Sequence, residues 1–117
     1  MLFDTSIVIK MIKEDKFELG SISVITLIEI LRGIDEERRE KIKGLLEEVF
    51  DVLGIDNKVI TEYCTMYDSL KKSGKLIPDA DLLIAATAKA NNMILKTKDF
   101  DFNRLRDLGL NVTIETD

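Results

Sequence analysis

The 117-residue sequence predicts an α/β fold, a three-layer α/β/α sandwich around a mostly parallel sheet of four or five strands. Three observations carry that expectation. Short runs of large apolar and β-branched residues alternate with segments whose apolar residues recur at helical spacing, the order of βαβ units. Four carboxylates, Asp4, Glu29, Asp81 and Asp99, stand where strands should end or buried helices should begin. The length suits one domain, residues 1–117, that buries roughly two thirds of the surface its unfolded chain exposes.

Leu2-Phe3 reads as a short buried strand running into Asp4, after which Thr5 or Ser6 can cap a helix carrying Ile7, Val8, Met11 and Ile12. Gly20-Ser21-Ile22 is a short extended entry to a second helix. That helix is begun by Ser23 or Thr26, runs through Leu27, Ile28, Ile30 and Leu31, and stops near Gly33. Residues 35–49 form an amphipathic helix with Ile42, Leu45, Leu46 and Val49 on one face and Glu36, Arg39, Glu40 and Lys43 on the other.

Phe50-Asp51-Val52-Leu53 is the next strand. Asp56 or Asn57 then caps a long helix with Val59, Ile60, Tyr63, Met66, Tyr67 and Leu70 at core spacing, ended by Lys72-Ser73-Gly74. Beyond Pro78, residues 82–88 are apolar almost all round and predict a helix buried on more than one side. Met93-Ile94-Leu95 forms a strand leading through Lys96, Thr97 and Lys98 to Asp99. A short helix over about residues 103–108 and a last strand, Val112-Thr113-Ile114, complete the series.

Composition excludes several chemistries. With no histidine and one cysteine, Cys64, the chain lacks the parts of Ser-His or Cys-His nucleophilic catalysis, of a disulfide framework and of a zinc site. Carboxylates alone hold a hard divalent cation through oxygen. The net charge of −5 is unlike a protein that coats nucleic acid, yet part of this acidity would sit at a metal site, where a bound cation reverses the local potential. No apolar run approaches the roughly 20 residues that span a bilayer. Met1-Leu2-Phe3-Asp4 has no basic leader segment, so a cytoplasmic protein with no membrane contact is expected.

Each acid has a structural reading beside a functional one. Asp4 follows a strand at the carboxyl edge, where open parallel sheets bind ligands, and Thr5 or Ser6 is free to cap in its place. Glu29 completes Thr26-x-x-Glu29, which suits a capping box. It also lies among Leu27, Ile28, Ile30 and Leu31, where an unpaired buried charge is costly and a cation would relieve it. Both readings stand. Asp81 opens the most apolar helix with Asp79 as an alternative cap, so one of the two is expected to cap and Asp81 to face the site. Asp99, with Asp101 nearby, suits a helix cap. If the first and fourth strands are neighbours, Asp99 also meets Asp4, and two such charges resist ionising together without a counter-ion.

Other features carry less. The six glycines form no phosphate-cradling loop. Tyr63, Met66 and Tyr67 suit core packing or a subunit contact better than base stacking. Lys96, Lys98, Arg104 and Arg106 make a modest basic patch beside Asp99, and Cys64 reads as a small buried hydrophobe. Phosphotransfer on aspartate fits poorly, because Asp4-Thr5-Ser6 lacks a second acid two residues on.

Taken together, Asp4-Thr5-Ser6, Ser23-x-x-Thr26-x-x-Glu29-x-x-x-Gly33, Asp81 with the apolar run to Ala88, and Leu95-x-Thr97-x-Asp99-x-Asp101-Phe102 resemble the PIN-domain family over essentially the whole chain. The short length resembles the VapC toxins of VapBC toxin-antitoxin pairs. The resemblance implies an α/β/α sandwich in which Asp4, Glu29, Asp81 and Asp99 bind Mg²⁺ or Mn²⁺ for RNA cleavage, with Ser6 and Thr97 in support. Asp79 and Asp101 are additional acids that blur which carboxylates ligate. It also implies a homodimer and a cognate VapB-like antitoxin that blocks the cleft and makes the only DNA contact.

The resulting expectation is a metal-dependent endoribonuclease acting on single-stranded or loop RNA, whose bases are more open to side chains than the deep A-form groove. The alternative is a non-catalytic PIN-like binding module that acts through its partner protein, its acids serving only as helix caps.

Overall fold

Neighbouring residues of a strand face opposite sides of their sheet. In the computed structural model of the protein, which describes residues 1–116, Leu2 and Phe3 accordingly belong to two different cores. In chain order the elements are β1 (Leu2–Phe3), α1 (Thr5–Glu14), β2 (Gly20–Ser23), α2 (Val24–Arg32), α3 (Glu36–Val49) and β3 (Phe50–Leu53). There follow α4 (Asn57–Ser73), α5 (Asp79–Ala90), β4 (Leu95–Thr97), a 3₁₀ helix (Phe100–Leu108) and β5 (Val112–Ile114). The strands form one sheet of order β3-β2-β1-β4-β5, and every pairing is parallel. The expected α/β/α sandwich is therefore observed, with five strands.

On one side of the sheet, Phe3, Ile22 and Phe50 pack against Ile7, Val8 and Met11 of α1, Leu27 and Ile30 of α2, and Leu46 of α3. On the other, Leu2, Leu95 and Val112 meet Val59, Met66 and Leu70 of α4, the apolar run of α5, and Phe102 and Leu105. The α5 residues Leu82, Ile84, Ala85, Ala86, Thr87 and Ala88 are all buried, as their all-round apolar pattern requires. Gly20 lets β2 approach β1 closely. A Cβ there would lie 2.5 Å from Phe3 Cε2 and 2.9 Å from the Met1 carbonyl oxygen. Gly74 stops α4 in the left-handed conformation, with its N–H on the Leu70 and Lys71 carbonyls.

Several local expectations are corrected. Asp4, not Thr5 or Ser6, caps α1, its side chain accepting from the Ile7 N–H. Ser23 caps α2, and Thr26 is buried inside the helix, so Thr26 and Glu29 form no capping box. Pro78 precedes α5, and neither Asp79 nor Asp81 makes its cap bond. Residue 97, rather than 95, closes β4, because parallel pairing with Phe3 and Ile114 draws Lys96 and Thr97 into the ladder. The last helix begins at Phe100 and is 3₁₀ throughout. Ile12, Ile28, Leu45 and Ile60 face solvent, and Cys64 is exposed, since the buried stripe of α4 passes through Val59, Met66 and Leu70.

Candidate functional site

The parallel pairing of β1 with β4 brings two segments far apart in sequence to the same carboxyl edge of the sheet. Asp4, just past β1, is 5% exposed, and its two oxygens are both engaged. Oδ1 accepts from Ser6 Oγ at 2.6 Å and from the Ile7 N–H at 3.2 Å, and Oδ2 accepts from the Thr97 hydroxyl. Thr97 Oγ1 in turn accepts from the Asp99 N–H at 3.0 Å, and Ser6 Oγ accepts from the Lys98 N–H at 3.2 Å. The start of α1 is thus laced to the end of β4. Burial pushes the Asp4 carboxyl above its usual range, the bonds from Ser6, Thr97 and Ile7 pull it back, and the charge of Asp99 pushes it up again.

Asp99 caps the 3₁₀ helix, its Oδ1 accepting from the Asp101 N–H at 2.9 Å. Capping and facing the site are compatible roles, as they are for Asp4. Asp81 lies half-buried in the first turn of α5. Burial, followed by the charges of Asp99, Glu29, Asp4 and Asp101, pushes its carboxyl up to about 6. Asp99, Glu29, Asp4 and Asp101 thus all act electrostatically on Asp81.

Glu29 is fixed from α1. Thr5 Oγ1 donates to Glu29 Oε1 at 2.6 Å, and the Arg32 guanidinium stands 3.7 Å from Oε2. Asp79 turns elsewhere: it accepts the Tyr63 hydroxyl at 2.7 Å, a bond that raises the phenol to about 12. Asp101 is exposed, and Arg104 lies 3.8 Å from its Oδ1. Much of the expected basic patch is committed to neighbours. Lys96 pairs with Glu18 and Glu115, Arg104 donates to the Leu76 carbonyl, and Arg106 donates to Asn103.

Thr5 and Tyr63 hold acidic side chains of this region in place, and neither was expected to. Thr5 was legible only as a helix cap, because its partner lies 24 residues away and no local pattern announces it.

The donor set suits a small hard cation in its chemistry, since it offers oxygen ligands only. As the side chains are placed, no group of three or more acids among the described residues stands close enough together to hold a metal ion. The arrangement is an open one, in which Mg²⁺ would keep several of its waters, as it ordinarily does beside one or two carboxylates.

Residues 1–108 match the PIN domain family. The chain is 41% identical over 116 residues to the ribonuclease VapC1 of Methanocaldococcus jannaschii, which covers 96% of this chain and 85% of that protein. Among solved structures it resembles VapBC-1 from nontypeable Haemophilus influenzae, with a TM-score of 0.82 and 26% identity over 97% of this chain and 96% of that one. It also resembles VapBC-5 of Mycobacterium tuberculosis, a member of the VapBC family of toxin-antitoxin systems. There the TM-score is 0.69 and the identity 28%, over 99% of this chain and 97% of that one.

Proposed function

The chain belongs to the PIN domain family, and from that premise we propose that it is a divalent-metal-dependent endoribonuclease acting as the toxin of a toxin-antitoxin pair. The observation that carries this reading is the convergence on Asp81 of charge from Asp99, Glu29, Asp4 and Asp101 at the carboxyl edge of the sheet. The 41% identity to a ribonuclease across nearly the whole chain supports the same chemistry.

Asp4 and Asp99 would hold Mg²⁺ or Mn²⁺, with Glu29 and Asp81 as direct or water-mediated ligands. The ion supplies a centre of positive charge that activates water and offsets the charge developing on the phosphodiester oxygens. The protein's own side chains set the geometry. Ser6 and Thr97 orient the Asp4 carboxylate through both of its oxygens. Such second-layer hydrogen bonds fix ligand direction and matter nearly as much as the ligands. Asp81, with its raised proton affinity, holds its proton until a cation or a rise in pH displaces it. Asp79 and Asp101 flank the site without entering it.

The partners follow the same reading. A cognate antitoxin would cover outward-facing apolar residues such as Ile9 and Ile12 on α1 and Ile28 on α2. Any DNA contact would be made by that antitoxin. A homodimer would use the exposed side of α4, where Ile60 and Cys64 lie beside the stacked Tyr63 and Tyr67 rings. Among the described residues no helix is long and apolar enough to cross a membrane, and the protein would act on cytoplasmic RNA.

The deciding experiment incubates a structured RNA with the protein in Mg²⁺ or Mn²⁺, in EDTA, and with Asp4→Asn. Cleavage confined to wild type with metal is expected. Cleavage that survives EDTA and the substitution would reject the mechanism, and no cleavage by wild type under any condition would favour a binding module.

A further inference from the structure

We propose that Thr5 is a positioning residue for Glu29, presenting one oxygen of that carboxylate to the cation site by holding the other. The inference rests on the reading of Glu29 as a ligand of that site and adds to it a residue from a different helix.

The geometry is specific. Thr5 is the first residue of α1, and Glu29 lies in the last turn of α2, so the contact crosses between two helices. Thr5 Oγ1 stands 2.6 Å from Glu29 Oε1 and 3.1 Å from Thr26 Oγ1. One hydroxyl carries one proton, and an ionised carboxylate can only accept. The proton of Thr5 therefore goes to Glu29, and Thr5 receives that of Thr26, which is fully buried and can offer it. The outcome is a relay, Thr26 to Thr5 to Glu29, anchored in the core of α2 and ending on Oε1.

Oε2 then lies on the other side of the carboxylate, where Arg32 approaches only to 3.7 Å. That distance is beyond a good charge-assisted hydrogen bond. The Arg32 side chain is 73% exposed, against 19% for Glu29, so it can swing into solvent without breaking a packed contact. Thr5 thus orients the carboxylate, while Arg32 balances part of its charge and can yield to a cation. Without Thr5, Glu29 would be free to turn toward Arg32, and the site would lose a preset ligand rather than a charge.

The test uses the full chain with Mn²⁺ alone as the probe. Binding is measured by isothermal titration and by the rise in melting temperature, in wild type, Thr5→Val, Thr5→Ser, Glu29→Gln and the Thr5→Val/Glu29→Gln pair. Thr5→Val keeps shape and removes the proton, and its melting curve in EDTA reports whether it folds. Thr5→Ser keeps the hydroxyl and must bind as wild type does. We expect Thr5→Val to weaken Mn²⁺ binding about tenfold, Thr5→Ser to stay within about twofold, and the double variant to bind no more weakly than Glu29→Gln. Wild-type affinity in a folded Thr5→Val alongside a weakened Glu29→Gln overturns this proposal and leaves the metal site standing. A Thr5→Ser variant as weak as Thr5→Val also overturns it, because the hydroxyl would then not be the operative group. Unchanged binding in Glu29→Gln removes the reading beneath it as well.

Discussion

The Thr97 hydroxyl donates to Oδ2 of Asp4 across 93 residues of chain, and the same oxygen of Thr97 accepts the Asp99 N–H. One buried hydroxyl on β4 therefore sets two of the four acids. Thr97→Val removes that donor and leaves Asp4 Oδ2 buried without it. We expect about 1–3 kcal/mol of lost stability in urea unfolding and cleavage reduced 10-fold to 100-fold. Thr97→Ser should retain most of both.

Proton linkage gives a pH dependence whose sign is fixed. A carboxyl whose proton affinity is higher folded than unfolded makes the native chain bind more protons between the two values, so stability falls as pH rises through that window. For Asp81 the window runs from 3.8 to about 6, and Asp4 is displaced in the same direction. Metal-free protein should lose melting temperature between pH 4 and 6 and level off above. Asp81→Asn should add about 1 kcal/mol at pH 7, after allowance for the solvent that reaches this half-exposed group, and nothing at pH 4.

Cations compete with that proton. The stabilisation by Mn²⁺ or Mg²⁺ should therefore be small at pH 5 and reach its plateau above about pH 6.5. At a concentration 100 times its dissociation constant the ion should contribute about 2.7 kcal/mol. Scanning calorimetry with and without EDTA reads this directly. A metal effect that is the same at pH 5 and pH 7 would exclude Asp81 from the site.

Asp79 and Asp81 should separate cleanly in a cleavage assay. Asp79 is engaged by Tyr63, so Asp79→Asn and Tyr63→Phe should each keep activity within about threefold. Asp81→Asn should lose on the order of 100-fold, the scale for removing one group that stabilises developing charge. Equal losses in Asp79→Asn and Asp81→Asn would place both at the reaction.

Gly20→Ala is the sharpest test of the fold. The added carbon would press on the Phe3 ring and on the Met1 carbonyl, so β2 must move away from β1 at the centre of the sheet. Overpacking of this kind costs about 1–3 kcal/mol. Gly44→Ala, at a helical position with nothing within 4 Å of the new carbon, should be neutral or slightly stabilising by unfolding midpoint.

The sequence announced what repeats along the chain and missed what depends on distant neighbours. The apolar strands, the all-round burial of α5 and the glycine stop of α4 are local patterns, and all were legible. So was the approach of Asp4 to Asp99, because it needs only that β1 and β4 be adjacent. The capping roles were not legible, since Asp4, Thr5 and Ser6 are equally good caps until tertiary partners choose among them. Ser6 and Thr97 both proved to bind Asp4, and Thr5 proved to serve Glu29 instead. Ile28, Ile60 and Cys64 failed as core residues because one helix turn offers more apolar positions than the sheet covers.

The place of β1 in the middle of the sheet has a consequence for synthesis. A ribosome that has already released Asp4, Glu29 and Asp81 has still to deliver Thr97 and Asp99, and until then β1 has no neighbour on its β4 side. Contacts spanning so much of the polypeptide form late. In a nascent chain of this design the hydrogen-bonded edge around Asp4 therefore stays incomplete until translation has passed residue 99.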